Sequence, residues 1–243
     1  GDEWTFEKLA EIAIQLTLDE NGRDAADPGF NPDAIVQFGF SPQWLNLPEM
    51  AAPFGPAAFG ERGELPGSWR TAMSWYWRGI QDSRFIPAEG DFASGDVAMS
   101  IAYGWYTCCT REAANWDLAV IPAYEGRPYG MVDSQGFAVL RTSEYPREAA
   151  RAILALAAHP DLVASLEAFP AWLPLTPAYF ETNDQRFPQG VDWMVIASSL
   201  TMPPGREPSQ SPAMTLKSPT MRAPLITTAT ATPAALAFSI CIA

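Results

Sequence analysis

Four short apolar runs alternate with segments of helical spacing, and that alternation is the strongest constraint on what this chain can fold into. Residues 34–40 read as a strand stopped by Ser41-Pro42. Val97, Met99 and Ile101 alternate as a second strand, 116–121 form a third closed by Pro122, and 136–140 a fourth. Between and around them lie helix patterns. Thr5 is placed to cap a helix over 6–17, with Phe6, Leu9, Ala13 and Leu16 on one face. A helix over 68–80 carries Trp69, Met73, Tyr76 and Ile80 on one face, and a short one over 87–94 ends at Gly95. A helix over 146–158 starts at Pro146 with Ala149, Ile153 and Leu156 facing inward, and a further short helix covers 160–168. Strands that alternate with helices predict an α/β fold.

Composition narrows the function. The chain has 243 residues, 48% of them hydrophobic and 18% charged, enough for one large domain or two small ones around a substantial core. A net charge of -13 leaves no basic footprint for nucleic acid and disfavours anionic membranes. The single histidine, His159, precedes Pro160 and reads as the end of a helix rather than a ligand. Cys108, Cys109 and Cys241 form no CxxC pair, so no zinc or redox motif is present. The loop Asp19–Asp24 is polar but breaks the spacing of a calcium loop. No cofactor and no metal are expected. No apolar run reaches the roughly 18 residues of a membrane span, and no signal peptide opens the chain, which predicts a start inside a longer protein.

Residues 45–67 are rich in Pro and Gly and read as loop. Residues 201–243 differ from everything before them. They hold Glu207 as their one acid and Phe238 as their one aromatic, among many Pro and Thr. Two expectations stand side by side: an unfolded Pro/Thr-rich tail, or residues read in a shifted frame.

At Phe92 the sequence reaches a recognisable pattern. Phe92, Gly95, Ala98, Met99, Ile101 and Trp105 stand in an F-x-x-G-x-x-A-M-x-I-x-x-x-W block. It resembles that of the maltose-binding-like, family 1 extracellular solute-binding proteins of ABC sugar importers. Trp116 through Pro122, then Gly126 and Pro128, resemble the family's next strand and turn. Gly136-Phe137-Ala138-Val139 and Tyr145 through Ala150 resemble its crossing strand and following helix. Upstream, Trp4 to Leu9 resemble a helix opening, and Asp19 to Gly22 a D-x-N-G loop. The resemblance spans roughly 2–195.

It implies a type II periplasmic-binding-protein-like α/β fold whose two lobes close on a ligand by hinge motion. Residues 1–127 would be second lobe, 128–175 would cross to an incomplete first lobe, and 176–200 would return. It further implies capture of a sugar or oligosaccharide for membrane permease subunits, by a monomer located in the periplasm or outside the cell, with or without a lipid anchor. No catalysis is implied.

A pyranose offers apolar C–H faces and a rim of hydroxyls, which call for an aromatic platform and for carboxylates or amides. Trp105 occupies the family's stacking position. Tyr103 and Tyr106 flank it, and strand alternation would put Tyr103 and Trp105 on one side. Trp44, Asp133 and Trp172 are further candidate contacts; the bland alternatives are a loop anchor for Trp44 and a turn or N-cap role for Asp133. Besides a fragment without function of its own, two other readings remain open at this stage. One is a binding protein for a peptide, polyamine or anion. The other is a glycosidase, for which Asp117 and Asp133 qualify by residue type alone.

Overall fold

The computed structural model describes residues 3–55, 63–110, 116–130, 132–133, 137–161, 165, 169–170, 173–199 and 236–242. Helix α1 (Phe6–Leu16) starts where Thr5 accepts a bond from the Lys8 N–H at 3.2 Å, and it buries Phe6, Leu9 and Ala13, as its spacing predicts. Strand β1 (Leu18–Asp19) pairs with β2 (Ile35–Gln37) around the polar loop. Asp19 organises that loop. Its carboxylate is buried and accepts from the N–H groups of Asn21 (2.8 Å), Arg23 (3.0 Å) and Asn31 (3.0 Å). Burial raises the Asp19 pKa, but the backbone donors outweigh it and hold the carboxyl below its ordinary value. The D-x-N-G loop is thus closed by its own backbone.

The chain after β2 does not stop at Ser41-Pro42. Those residues are strand β3, parallel to β4 (Met99–Tyr103) with Ser41 opposite Ser100 and Pro42 opposite Ile101. An edge position tolerates proline, because no partner needs its missing N–H. Residues 45–67 are not all loop either. Helix α2 (Leu47–Ala51) forms there, closed by a capping box between Asn46 and Glu49, and a 3₁₀ turn (Ala52–Phe54) follows. Helix α3 (Gly67–Gln81) buries Trp69, Ala72, Trp75, Tyr76 and Gly79. Its buried stripe is rotated from the predicted one, and Ile80 is exposed. The short helix expected over 87–94 is absent. Asp91 instead builds a turn by accepting from the Ala93 N–H at 3.0 Å, and Gly95 closes it with φ of 86°.

Strand β4 is buried along its whole length because both faces are covered. On one side Met99, Ile101 and Tyr103 join a core with α1, α3 and Phe40; on the other, Ala102 joins Trp116, Phe187, Trp193 and Ile196. The second core is supplied by α5 (Thr176–Arg186) and α6 (Met194–Ser199). Strand β5 (Asp117–Ala119) is shorter than predicted. It is followed by the small hairpin β6 (Ala123–Tyr124) and β7 (Arg127–Pro128).

The late part of the chain departs most from expectation. Leu236–Ile242 form strand β9, which lies between β4 and β5 and runs antiparallel to both. The tail therefore contributes a strand where none was anticipated. β3, β4 and β5 are mutually parallel, and β8 (Val132–Asp133) pairs with the beginning of β9. Residues 137–140 are not a strand, and Phe137 and Leu140 are exposed. Helix α4 (Pro146–Ala157) forms as its pattern predicts, yet none of its residues is buried, so Ala149, Ile153 and Leu156 do not line a core. Only Pro160, Asp161 and Ser165 of the predicted 160–168 helix fall among the described residues, and they are helical. His159 lies just past α4 with its Nδ1 3.6 Å from an Asp161 carboxylate oxygen, an exposed helix-end pair. Among the described residues no helix is long and apolar enough to cross a membrane.

Three buried phenols link this packing to pH. Burial raises the pKa of Tyr76 and Tyr179 well above the ordinary 10.0, and at Tyr106 burial is joined by the hydrogen bond and charge of Asp91. A folded-state pKa above the unfolded one favours the neutral phenol in the fold. That stability is complete below about pH 10 and is lost as pH climbs further. The melting temperature should therefore drop steeply above about pH 10. The Tyr76 hydroxyl is buried with no hydrogen-bond partner among the described residues, so Tyr76→Phe should flatten that drop and raise the melting temperature at neutral pH. A pH–melting curve identical to wild type would contradict this.

Candidate functional site

The parallel strands fix where a site can form. In parallel α/β sheets the carboxyl ends of the strands open onto the ligand crevice. Here β3 ends into Gln43-Trp44 and β4 ends into Gly104-Trp105, and their parallel register brings both endings to one edge. Strand β9 begins beyond β4, since Phe238 pairs with Tyr103, and Leu236 then pairs with Asp133. The backbone of Asp133 is thereby carried to the same edge; its side chain lies outside the described residues, as does the whole of Trp172.

Trp105 is half-buried and packs against both cores at once. Its ring is backed by Tyr103, with centroids 6.4 Å apart and planes 19° apart, and meets Tyr106 edge-on at 6.5 Å. The shared side of Tyr103 and Trp105 does not come from strand alternation. Extended backbone ends at Tyr103, and Gly104–Cys109 turn into a 3₁₀ helix. The stacking arises because that turn folds the indole back over the tyrosine.

The flanking tyrosines are supports rather than contact surfaces. Tyr103 is buried, and Tyr106 is 1% exposed. The Tyr106 hydroxyl donates to the Asp91 carboxylate and accepts from the Ala93 N–H at 3.3 Å. Burial first, then Asp91, raises its pKa, so it stays a neutral donor. Of the aromatic candidates, only Trp105 and Trp44 are available to a ligand among the described residues.

Trp44 is 70% exposed and holds a left-handed backbone, φ 58°. That conformation costs a non-glycine residue roughly 1–2 kcal/mol. Its neighbour Gln43 is pinned: the backbone N–H donates to the Ile101 carbonyl at 2.9 Å, and Nε2 donates to the Gly90 carbonyl at 2.9 Å and to Ser41 Oγ at 3.2 Å. The strand register and the buried amide thus force the strain onto Trp44 and turn its indole outward. Trp44→Gly should release the strain and stabilise the fold by about 1 kcal/mol. A urea midpoint that falls instead would show that the indole stabilises the edge.

Sequence reasoning missed Gln43 and Asp91 as positioning residues. Asp91 could have been found from Gly90-Asp91 ahead of Phe92, a turn signature. Gln43 carries no such signal, because its partners lie across the fold. The carboxylate pair considered for glycoside hydrolysis is separated. Asp117 pairs with Ile242 and Asp133 with Leu236, opposite ends of β9. That places their backbones about 20 Å apart, beyond the roughly 5–10 Å such a pair needs. Asp117 also accepts from the N–H groups of Leu118 and Asp192, both at 2.8 Å. Two cavities lie elsewhere on the molecule, one of about 450 Å³ lined by Phe30, Asp82 and Arg84, the other by Arg70, Trp77 and Arg78. Neither includes Trp44 or Trp105.

Comparison with known proteins adds the fold's relatives. No protein-family model matches the sequence, and no curated protein matches it. Among solved structures, Mycobacterium tuberculosis UspC superposes with a TM-score of 0.59 at 22% identity, covering 82% of this chain and 55% of its own. The maltose/maltodextrin-binding domain MalE of Bdellovibrio bacteriovorus, bound to maltotriose, superposes with a TM-score of 0.54 at 18% identity, covering 79% and 56%. The chain thus spans just over half the length of either structure. The likeness establishes the fold alone: a mixed α/β architecture that matches just over half of each of those structures.

Proposed function

We propose that this chain supplies one ligand-contacting wall of a solute-binding protein that captures a sugar or oligosaccharide for an ABC importer. The observation that carries the reading is the Trp105 indole, half-exposed at the carboxyl edge of the parallel strands and stacked from behind by Tyr103. A rigid aromatic face at a strand edge is what the C–H face of a pyranose packs onto. Trp44, fixed outward beside it, extends the platform, and Asp133 is the candidate acceptor for sugar hydroxyls. A neighbouring structure of the same fold holds maltotriose.

Residues 1–127 then form the second lobe, and 128–175 cross towards the first. The exposed apolar side chains of that crossing segment, Phe137, Leu140, Leu154 and Leu156, fit a stretch that packs onto a first lobe. Membrane permease subunits are the partners, the protein works as a monomer in the periplasm or outside the cell, tethered by a lipid or not, and binding proceeds without catalysis or cofactor.

The test is a calorimetric titration of the longest polypeptide that contains this chain. The panel includes maltose, maltotriose and unrelated amino acids. Saturable heat with a sugar and no released product supports the reading. Silence across the sugars, or turnover of a glycoside, rejects it.

A further inference from the structure

Cys108 and Cys109 close the same 3₁₀ turn that carries Trp105, and both are exposed. Their sulfurs stand 3.3 Å apart. The turn beneath them is held on both sides. Thr107 Oγ1 donates to the Gly104 carbonyl at 3.0 Å, Thr110 Oγ1 donates to the Thr107 carbonyl at 3.1 Å, and both threonines are buried. The two cysteines are therefore exposed residues on a fixed base.

From this geometry we propose that Cys108 and Cys109 form a two-sulfur site for a single thiophilic centre, and that the class of ligand it takes is a trivalent arsenical. The spacing decides between the alternatives. A direct disulfide needs its sulfurs at about 2.05 Å and its Cα atoms at about 4.4 Å or more, whereas adjacent Cα atoms stand about 3.8 Å apart. Direct bonding is therefore strained. An atom bonded to both sulfurs at about 2.3 Å, the usual thiolate bond to zinc, would subtend about 90° across the observed spacing. A near-right angle suits pyramidal trivalent arsenic, which keeps a lone pair. Zinc prefers a wider tetrahedral angle and four ligands, and among the described residues no group of three or more metal-binding side chains exists. An organoarsenical brings its own third substituent and asks the protein for only two.

The reaction balances without a redox partner. A species RAs(OH)₂ loses both hydroxides, each leaving as water with one thiol proton. Two As–O bonds break, two As–S bonds form, and arsenic remains trivalent. This site shares the turn that carries Trp105 but does not rest on the sugar reading, since the two sulfurs need neither indole.

The test titrates the full chain, kept reduced with a phosphine, with phenylarsine oxide, and reads the adduct by intact mass. One arsenical per chain is expected, resistant to excess monothiol and removed by a 1,2-dithiol. Two-point attachment exceeds single attachment by roughly 10²–10⁴. Cys108→Ser and Cys109→Ser should therefore each weaken capture at least ~100-fold, with Cys241→Ser unchanged. An adduct that persists in either of the first two variants, or disappears in Cys241→Ser, overturns the site.

Discussion

Gly39→Ala should cost the protein about 3 kcal/mol or more, enough to leave much of it unfolded. A β-carbon at Gly39 would stand 1.9 Å from the Ala13 carbonyl oxygen, 2.5 Å from its carbon and 2.6 Å from its Cα. All three are backbone atoms of α1, so no flexible side chain can yield. The surrounding bonds leave little slack. The Gly39 N–H donates to Thr17 Oγ1 at 3.0 Å, and Thr17 in turn donates to the Ala13 carbonyl at 2.8 Å. The Gly39 carbonyl accepts from the Met99 N–H at 3.1 Å, which ties the same point to β4. Backing α1 away by an ångström would break this chain of bonds and open the core around Phe6, Leu9 and Phe40. Urea unfolding is the measurement. A midpoint within about 0.5 kcal/mol of wild type would mean that helix and strand do not approach this closely.

Trp105→Ala should weaken sugar affinity by about 10–100-fold, which corresponds to about 1–3 kcal/mol. The ring is half-exposed with the Tyr103 ring stacked behind it, so its loss removes the platform and leaves its support bare. Because Trp105 touches both cores, the substitution also loosens the fold, and a melting curve must accompany the titration. Trp105→Phe keeps an aromatic face of smaller area and should recover part of the affinity. An unchanged Kd in Trp105→Ala would remove this residue from the site.

Much of the first 130 residues was legible, because the signals there are local. Thr5 caps α1 through a side chain three residues from its donor, and Phe6, Leu9 and Ala13 mark one helix face. The Asn46-x-x-Glu49 capping box was equally local, but proline and glycine density around it hid the helix. Strand β9 was obscured the same way. Leu236, Phe238, Ile240 and Ile242 alternate with small residues, a period of two lost within a long Pro/Thr-rich stretch. Helix α4 shows the opposite failure. Its amphipathic pattern gave the right secondary structure but not burial, because periodicity tells which face is apolar and not whether anything covers it.

The site divides along the same line. The motif ending at Trp105 places the indole, whereas the burial of Tyr103 and Tyr106 depends on the turn after β4 and on Asp91, which spacing along the chain cannot reveal.

The insertion of β9 bears on how the molecule is made. The strand that joins β4 to β5 arrives more than a hundred residues after β4 leaves the ribosome. Until then the two parallel strands face each other across an unfilled slot, with open backbone groups on both edges. Such long-range pairing is slow and leaves nascent chains prone to cross-pairing with one another. Production of this protein should therefore depend on how long those edges are shielded, by a chaperone or by slow synthesis, more than on the stability of the finished fold.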